Sequence, residues 1–224
     1  MIAEANFRHN DINSFLDELG EAQDKDKFFK EYVKSVRLND QKVNSVISLY
    51  SNQEILKEYY AGVEKEFNGV PILLKDNIDS IGIANTAGSL AFKNNLPKND
   101  APLVGKLRES GFIILGKANL SEWANFRGNP STSGWTSING QTNNPFNLKY
   151  NPCGSSSGSA AAIAQGLVPV SIGTETNGSI TCPASVNGVV GIKPTVGLVS
   201  RTGVIPISET QDTAGPMAKN VMDA

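Results

Sequence analysis

The spacing of apolar positions changes character near residue 69. In 11–22, Ile12, Phe15, Leu16 and Leu19 recur at helical spacing, and 26–37 repeats the pattern with Phe28, Phe29, Tyr32 and Val33. Segment 51–67 opens with Ser51-x-x-Glu54, in which each side chain can satisfy the other's orphan backbone N–H. Three amphipathic helices are expected here, packed on a core and without chemistry of their own. Beyond Gly69 the helical period is lost. Residues 70–74 form a compact apolar run that ends in Lys75-Asp76-Asn77, as a buried strand with a polar C-terminal end does. A helix near 101–110 follows, then a second buried strand at 111–116. This strand–helix–strand order predicts an α/β fold. Region 125–152, rich in Asn, Ser, Gly and Pro, reads as loop. The Gly/Ser run 154–159 leads into an alanine-rich helix at 159–166, then a strand at 167–173 and a polar loop at 174–179. Further short strands are expected at 188–194 and 197–200. The organisation predicted is an N-terminal helical segment, 1–68, packed on an α/β core, 69–224.

Composition narrows the chemistry. The chain has 224 residues and a formal net charge of −2, which gives no electrostatic case for nucleic acid or an anionic membrane. No apolar run approaches a membrane span, and the first residues lack the apolar stretch of a signal peptide. A soluble cytoplasmic protein is the expectation. Two cysteines, Cys153 and Cys182, are too few for a disulfide framework and lie in no metal-ligand spacing. Reduced, buried thiols are expected, although one bridge between them is arithmetically possible. The single histidine, His9, sits in a polar segment beside the N-terminus and reads as exposed and non-functional. A Ser-His-Asp or Cys-His centre, or a His-rich metal site, would need it. A hydrolytic serine in this chain therefore needs another base. Lysine is the usual substitute, because its pKa falls readily on burial.

Three places then stand out, each weak alone. Lys75 ends an apolar strand, but so do Lys117 and Lys193. The 154–159 loop precedes a helix, yet it lacks the Gly-Lys-Ser/Thr ending of a phosphate-binding loop and the dinucleotide glycine spacing. Ser179 lies in Thr174-Glu-Thr-Asn-Gly-Ser-Ile180. A Gly-Ser step after a strand can expose a hydroxyl and leave preceding N–H groups free for an oxyanion, although Asn-Gly-Ser is also common turn chemistry.

Taken together, these residues make the chain recognisable. The segments Gly69-Val-Pro-Ile-Leu-Leu-Lys75-Asp76-Asn77, Gly154-Ser155-Ser156-Ser157-Gly158-Ser159, Gly173-Thr-Glu-Thr-Asn-Gly178-Ser179-Ile180 and Gly191-Ile-Lys-Pro-Thr-Val-Gly197 resemble the amidase signature family. Within it, Ser121-Glu-Trp-Ala-Asn-Phe-Arg127, Ser133-Gly-Trp135, Asn151-Pro-Cys-Gly-Ser-Ser-Ser157 and Gln211-Asp-Thr-Ala-Gly-Pro216 are most like bacterial peptide amidases. The resemblance implies a mixed β-sheet core flanked by helices and a Ser-cisSer-Lys triad. Ser179 would be the nucleophile, and Ser155, after a cis Gly154–Ser155 peptide, the bridge to a neutral Lys75. The backbone N–H groups of Thr176, Asn177, Gly178 and Ser179 would form the oxyanion hole. Ser156 would support Ser155 or cap the helix, and Ser131 would lie in the loop lining the acyl site. Trp123 and Trp135 read as core packing before pocket wall. The implied substrate is a small-molecule or peptide amide, with no cofactor and no metal.

Three departures qualify what the resemblance implies. Asn177 stands where relatives often have Gly. Thr181 stands where the large amidotransferase chains and malonamidases have Arg, so a carboxylate held at that position is disfavoured. The chain also stops soon after Pro216, whereas family members continue for a comparable distance. A truncated domain is therefore expected, with three functional readings: an amidase completed by a second chain, an inactive remnant with a binding or structural role, or the A subunit of a glutamine-dependent amidotransferase.

Overall fold

A computed structural model describes residues 11–224; His9 lies outside the described residues. The N-terminal helices form where the apolar periodicity places them. Helix α1 spans Ile12–Glu21 behind an Asp11/Ser14 capping box, and α2 spans Lys25–Asn39 with Asp24 accepting from the Lys27 N–H. Helix α3 (Asn52–Gly62) carries the Ser51/Glu54 box in both directions but ends at Gly62, short of residue 67. Phe15, Phe28, Phe29 and Tyr32 interlock, with the Phe15 ring 5.4 Å from Tyr32 and 5.7 Å from Phe28. The Tyr32 hydroxyl donates to the Leu167 carbonyl at 2.6 Å, so this aromatic cluster is tied to the rest of the core.

The core is one six-stranded mixed sheet in the order β1-β3-β2-β6-β8-β7. Its centre is parallel: β2 (Pro71–Lys75) lies between β3 (Ile113–Ala118) and β6 (Val170–Glu175), and all three are fully buried. Helices α4 (Pro102–Glu109) and α5 (Ser157–Ala164) precede β3 and β6. Of the antiparallel flanking strands, β1 and β8 lie outside the expected strands, whereas β7 falls within the one expected at 188–194. β1 (Val46–Leu49) comes from the N-terminal segment and pairs with β3. The turn before it is closed by the Asp40 carboxylate, which accepts from the Ser45 N–H and hydroxyl and the Val46 N–H. β8 (Thr213–Ala218) pairs with β6 along six residues, and β7 (Val190–Gly191) pairs with β8. Residues 197–200 form no strand beyond a single Val196–Val199 bridge. The 125–152 loop holds a two-stranded ribbon, β4 (Trp135–Thr136) with β5 (Gly140–Gln141), and a short helix α6 (Thr181–Val186) follows the expected polar loop.

Because β2 and β6 are parallel neighbours, their C-terminal ends open on the same side. In open α/β sheets that side is where ligand-binding groups collect. Gly158 lets α5 pass close beneath: a Cβ there would lie 2.2 Å from the Ser45 carbonyl and 2.4 Å from the Asn119 carbonyl.

Candidate active site

Lys75, the last residue of β2, is fully buried. Its Nζ donates to Ser155 Oγ at 2.7 Å, Thr174 Oγ1 at 2.9 Å and the Thr174 carbonyl at 3.1 Å. None of these partners is a carboxylate. Burial accordingly lowers its pKa to about 7, against the pull of the more distant Glu175 and Asp212. At neutral pH a large fraction of Lys75 is the free amine, able to accept a proton.

Ser155 follows a cis Gly154–Ser155 peptide and is fully buried. Its carbonyl accepts from the Ser121 N–H at 3.0 Å. Ser156 immediately precedes α5 but does not cap it with its side chain. Instead its hydroxyl donates to the Thr174 carbonyl at 3.1 Å and accepts from the Thr174 N–H at 3.2 Å. The Ser156 N–H donates to the Ser179 carbonyl at 3.1 Å. Ser156 thus fastens the serine loop to β6 and to the Ser179 loop, and the reading of it as a helix cap is set aside.

Ser179 is 7% exposed, and its hydroxyl has no hydrogen-bond partner among the described residues. The 176–179 loop turns at Gly178, whose φ of 81° is in the left-handed region that favours glycine. The Glu175 carboxylate holds the far side of this loop, accepting from the Ile180 N–H at 2.7 Å, the Thr181 N–H at 2.9 Å and the Thr181 hydroxyl at 3.2 Å. Burial pushes the Glu175 pKa up, but the N–H groups of Thr181, Ile180 and Gly178 more than offset it and hold the carboxyl below its usual range. The N–H groups of Thr176, Asn177 and Ser179 donate to nothing among the described residues, whereas that of Gly178 is partly directed at Glu175. Thr176 is positioned by its hydroxyl, 2.5 Å from Asp212 Oδ1. Asp212 also gathers the N–H groups of Ile207 and Ser208, which draws the 205–208 strap toward this loop.

Cys153 and Cys182 form a disulfide, with Cα atoms 6.0 Å apart. This corrects the expectation of reduced, buried thiols; both residues are half-buried. Their 29-residue separation along the chain hides the fact that the loop before Ser155 and the first turn of α6 are neighbours. The bridge straps the two serine loops together.

The remaining candidates fall elsewhere. Ser131 is exposed in the 126–132 loop and joins none of these groups. Lys193 is exposed. Lys117 is fully buried, but it faces Asp76, 3.4 Å away, and the Ile78 carbonyl. Trp123 is half-buried, edge-on to Phe92, and lines a cavity of about 230 Å³ with Asn77, Ala87, Ala124, Phe126 and residues 205–207. It is therefore a pocket wall, contrary to the expectation of core packing. Trp135 is half-buried under the Arg127 guanidinium, 4.6 Å from its ring. No group of acidic, Cys or His residues among those described could hold a metal ion, and no described helix is long and apolar enough to cross a membrane. Thr174, Glu175, Asn77 and Asp212 escaped sequence reasoning as site residues. Each lies inside one of the quoted motifs, which was its only signal.

A sequence model of the amidase family matches residues 28–224. The chain belongs to the amidase family. A probable amidase of Arabidopsis thaliana is 55% identical over 158 residues, covering 70% of this chain and 31% of the relative. The A subunit of a glutamyl-tRNA(Gln) amidotransferase from Methanosarcina mazei is 41% identical over 195 residues, 87% of this chain and 39% of that one. Among solved structures, the native peptide amidase of Stenotrophomonas maltophilia superposes with a TM-score of 0.88 at 48% identity, covering 97% of this chain and 47% of the other. This amidase-family chain spans about a third of the length of the first curated relatives and just under half of the solved ones.

Proposed function

We propose that the chain carries the amide-hydrolysing centre of a serine amidase, with Ser179 as nucleophile, Ser155 as relay and Lys75 as base. The observation that carries this reading is the bond from a buried, carboxylate-free lysine amine to Ser155. In the reaction, Ser179 Oγ attacks the amide carbonyl carbon. Its proton passes to Ser155 Oγ while the Ser155 proton passes to Lys75 Nζ. The carbonyl oxygen, now an anion, is met by free N–H groups of the 176–179 loop; one such donor lowers the barrier by about 3 kcal/mol. As the C–N bond breaks, the relay runs backward and the leaving amine departs protonated. Water then hydrolyses the acyl-enzyme along the same relay.

A peptide C-terminal carboxamide is the favoured substrate, on the strength of the motifs shared with peptide amidases and the 48% identity to one of them. The amidotransferase reading has support from the Methanosarcina mazei relative. It is disfavoured by Thr181, whose side chain offers no guanidinium for a carboxylate and is itself bound to Glu175. A second chain completing the domain, and a cytoplasmic setting, belong to the same proposal.

The test is turnover of a peptide carboxamide, with mass spectrometry for the acyl adduct. Ser179→Ala should lower the rate by on the order of 10⁴-fold or more and abolish the adduct. Hydrolysis that survives this substitution would falsify the nucleophile assignment. A folded wild-type chain that neither turns over nor acylates favours the inactive-remnant reading.

A further inference from the structure

Beside the proposed triad lies a cavity that the reaction does not use. One wall is the turn 123–126, where Trp123, Ala124 and Asn125 all hold positive φ, at 51°, 52° and 72°. Such backbone is unfavourable for non-glycine residues and persists where surrounding structure imposes it. The opposite wall is the 205–207 strap, pinned by the Ile205 N–H to the Asn77 carbonyl at 2.8 Å. Trp123, Phe126, Ile205 and Ile207 supply apolar side chains to these walls, and nearly half of the lining surface is polar. At about 230 Å³ the space is below the common range for drug-sized ligands, roughly 300–1,000 Å³, and suits a single residue.

Asn77 lines this cavity and is 3% exposed. Its Nδ2 donates to Thr174 Oγ1 at 3.0 Å, the same oxygen that accepts from Lys75 Nζ. Its Oδ1 is buried with no partner among the described residues. A buried acceptor left unsatisfied is costly, and proteins rarely keep one without use. Asn77 is therefore one shared hydroxyl away from the proposed base, with an acceptor to spare beside a cavity that carries four large apolar side chains.

We propose that Asn77 Oδ1 accepts the main-chain N–H of the substrate residue that bears the carboxamide, while the cavity takes that residue's apolar side chain. This rests on the peptide-carboxamide reading above and makes Asn77 a specificity-determining residue within it. The preferred substrates are peptides ending in a large apolar residue amide. A simple acyl amide without that N–H is disfavoured.

The experiment compares ammonia release from N-acetyl-phenylalaninamide and from O-acetyl-phenyllactamide, in which an ester oxygen replaces the N–H at equal size. The wild-type chain should prefer the first by at least about tenfold in kcat/KM. Asn77→Ala should reduce that preference to within about twofold, while the pH midpoint of the rate stays fixed, because Lys75 keeps all three of its bonds, to Ser155 and to the Thr174 hydroxyl and carbonyl. A midpoint that shifts with the preference intact would mean that Asn77 only holds Thr174, and would overturn the inference. Should Asn77→Ala fail to fold, the wild-type comparison decides. Equal kcat/KM for the two compounds overturns the inference and leaves the amidase reading standing. Acylation by no amide at all sinks the amidase reading. Binding then decides the inference, followed by Trp123 fluorescence in a Trp135→Phe chain. Affinity weakened at least tenfold by loss of the N–H upholds it, and equal affinities or no binding overturn it.

Discussion

Lys75 and Lys117 end neighbouring parallel strands, almost side by side: Leu74 pairs with Lys117 and Lys75 with Ala118. Both are fully buried, and burial lowers the pKa of both. What differs is the company each keeps. Lys117 faces the Asp76 carboxylate at 3.4 Å, and Asp76 in turn accepts from the Thr86 hydroxyl and N–H and the Gly88 N–H. Lys75 faces two hydroxyls and a carbonyl. The Asp76 carboxylate draws the Lys117 amine back toward its charged form against the effect of burial, and engages it in a structural pair. A buried amine among neutral oxygens is poised to exchange a proton. Position and burial are shared, so the partners alone divide the proposed base from the brace.

The largest effect should come from substituting each lysine by methionine and reading rate and stability separately. Lys75→Met should lower amide hydrolysis by about 10³-fold or more with little loss of stability, because it removes a buried, poorly compensated amine. Lys117→Met should do the reverse. It leaves the Asp76 carboxylate without its cation, a loss of about 3–5 kcal/mol in denaturant unfolding, while kcat per folded molecule changes little. Asp76→Asn in the same chain should recover much of that stability, since the stranded charge is then gone. If Lys117→Met instead abolished turnover in a fully folded chain, the division between the two lysines would fail.

The next effect is on pH. In the proposed relay Lys75 must be neutral to accept the Ser155 proton, and burial lowers its pKa to about 7. The kcat/KM for an amide should therefore rise with pH, with a midpoint near 7, and level off above it. The stability sign follows from the same shift. An unfolded lysine titrates near 10.4, so between pH 7 and that value the unfolded chain binds the extra proton and stability rises with pH. Below about 7 both states hold it and the contribution is flat. Lys75→Met should remove this slope, which urea titrations at pH 7 and pH 9.5 would detect.

Much of this arrangement is legible in the sequence, and the parts that are not share a cause. The α3 capping box is local, as is the apolar run before Lys75, so both can be read from spacing. The serine pair is legible through its flanking motifs. The Lys75–Lys117 distinction is not, because Asp76 neighbours Lys75 along the chain yet faces Lys117 in space. β8 is hidden for a similar reason: Thr-Ala-Gly-Pro-Met-Ala has poor strand character, and its pairing with β6 is what makes it a strand. The Cys153–Cys182 bridge likewise depends on two loops brought together only by the sheet.

The finest test of the comparison is Thr174, because it alters the surroundings of Lys75 without touching Lys117. Its hydroxyl accepts from Lys75 Nζ at 2.9 Å and so favours the protonated amine. Thr174→Val removes that acceptor and adds apolar bulk, leaving Ser155 and the Thr174 carbonyl in place. Both changes disfavour the ammonium. The midpoint of the pH–rate curve should fall, by up to about one pH unit, while the plateau above it stays within a few-fold of wild type. A midpoint that rose, or did not move in a chain with an intact plateau, would mean that neutral oxygens around Lys75 do not set its proton affinity. The contrast with the carboxylate-bound Lys117 would then need another explanation.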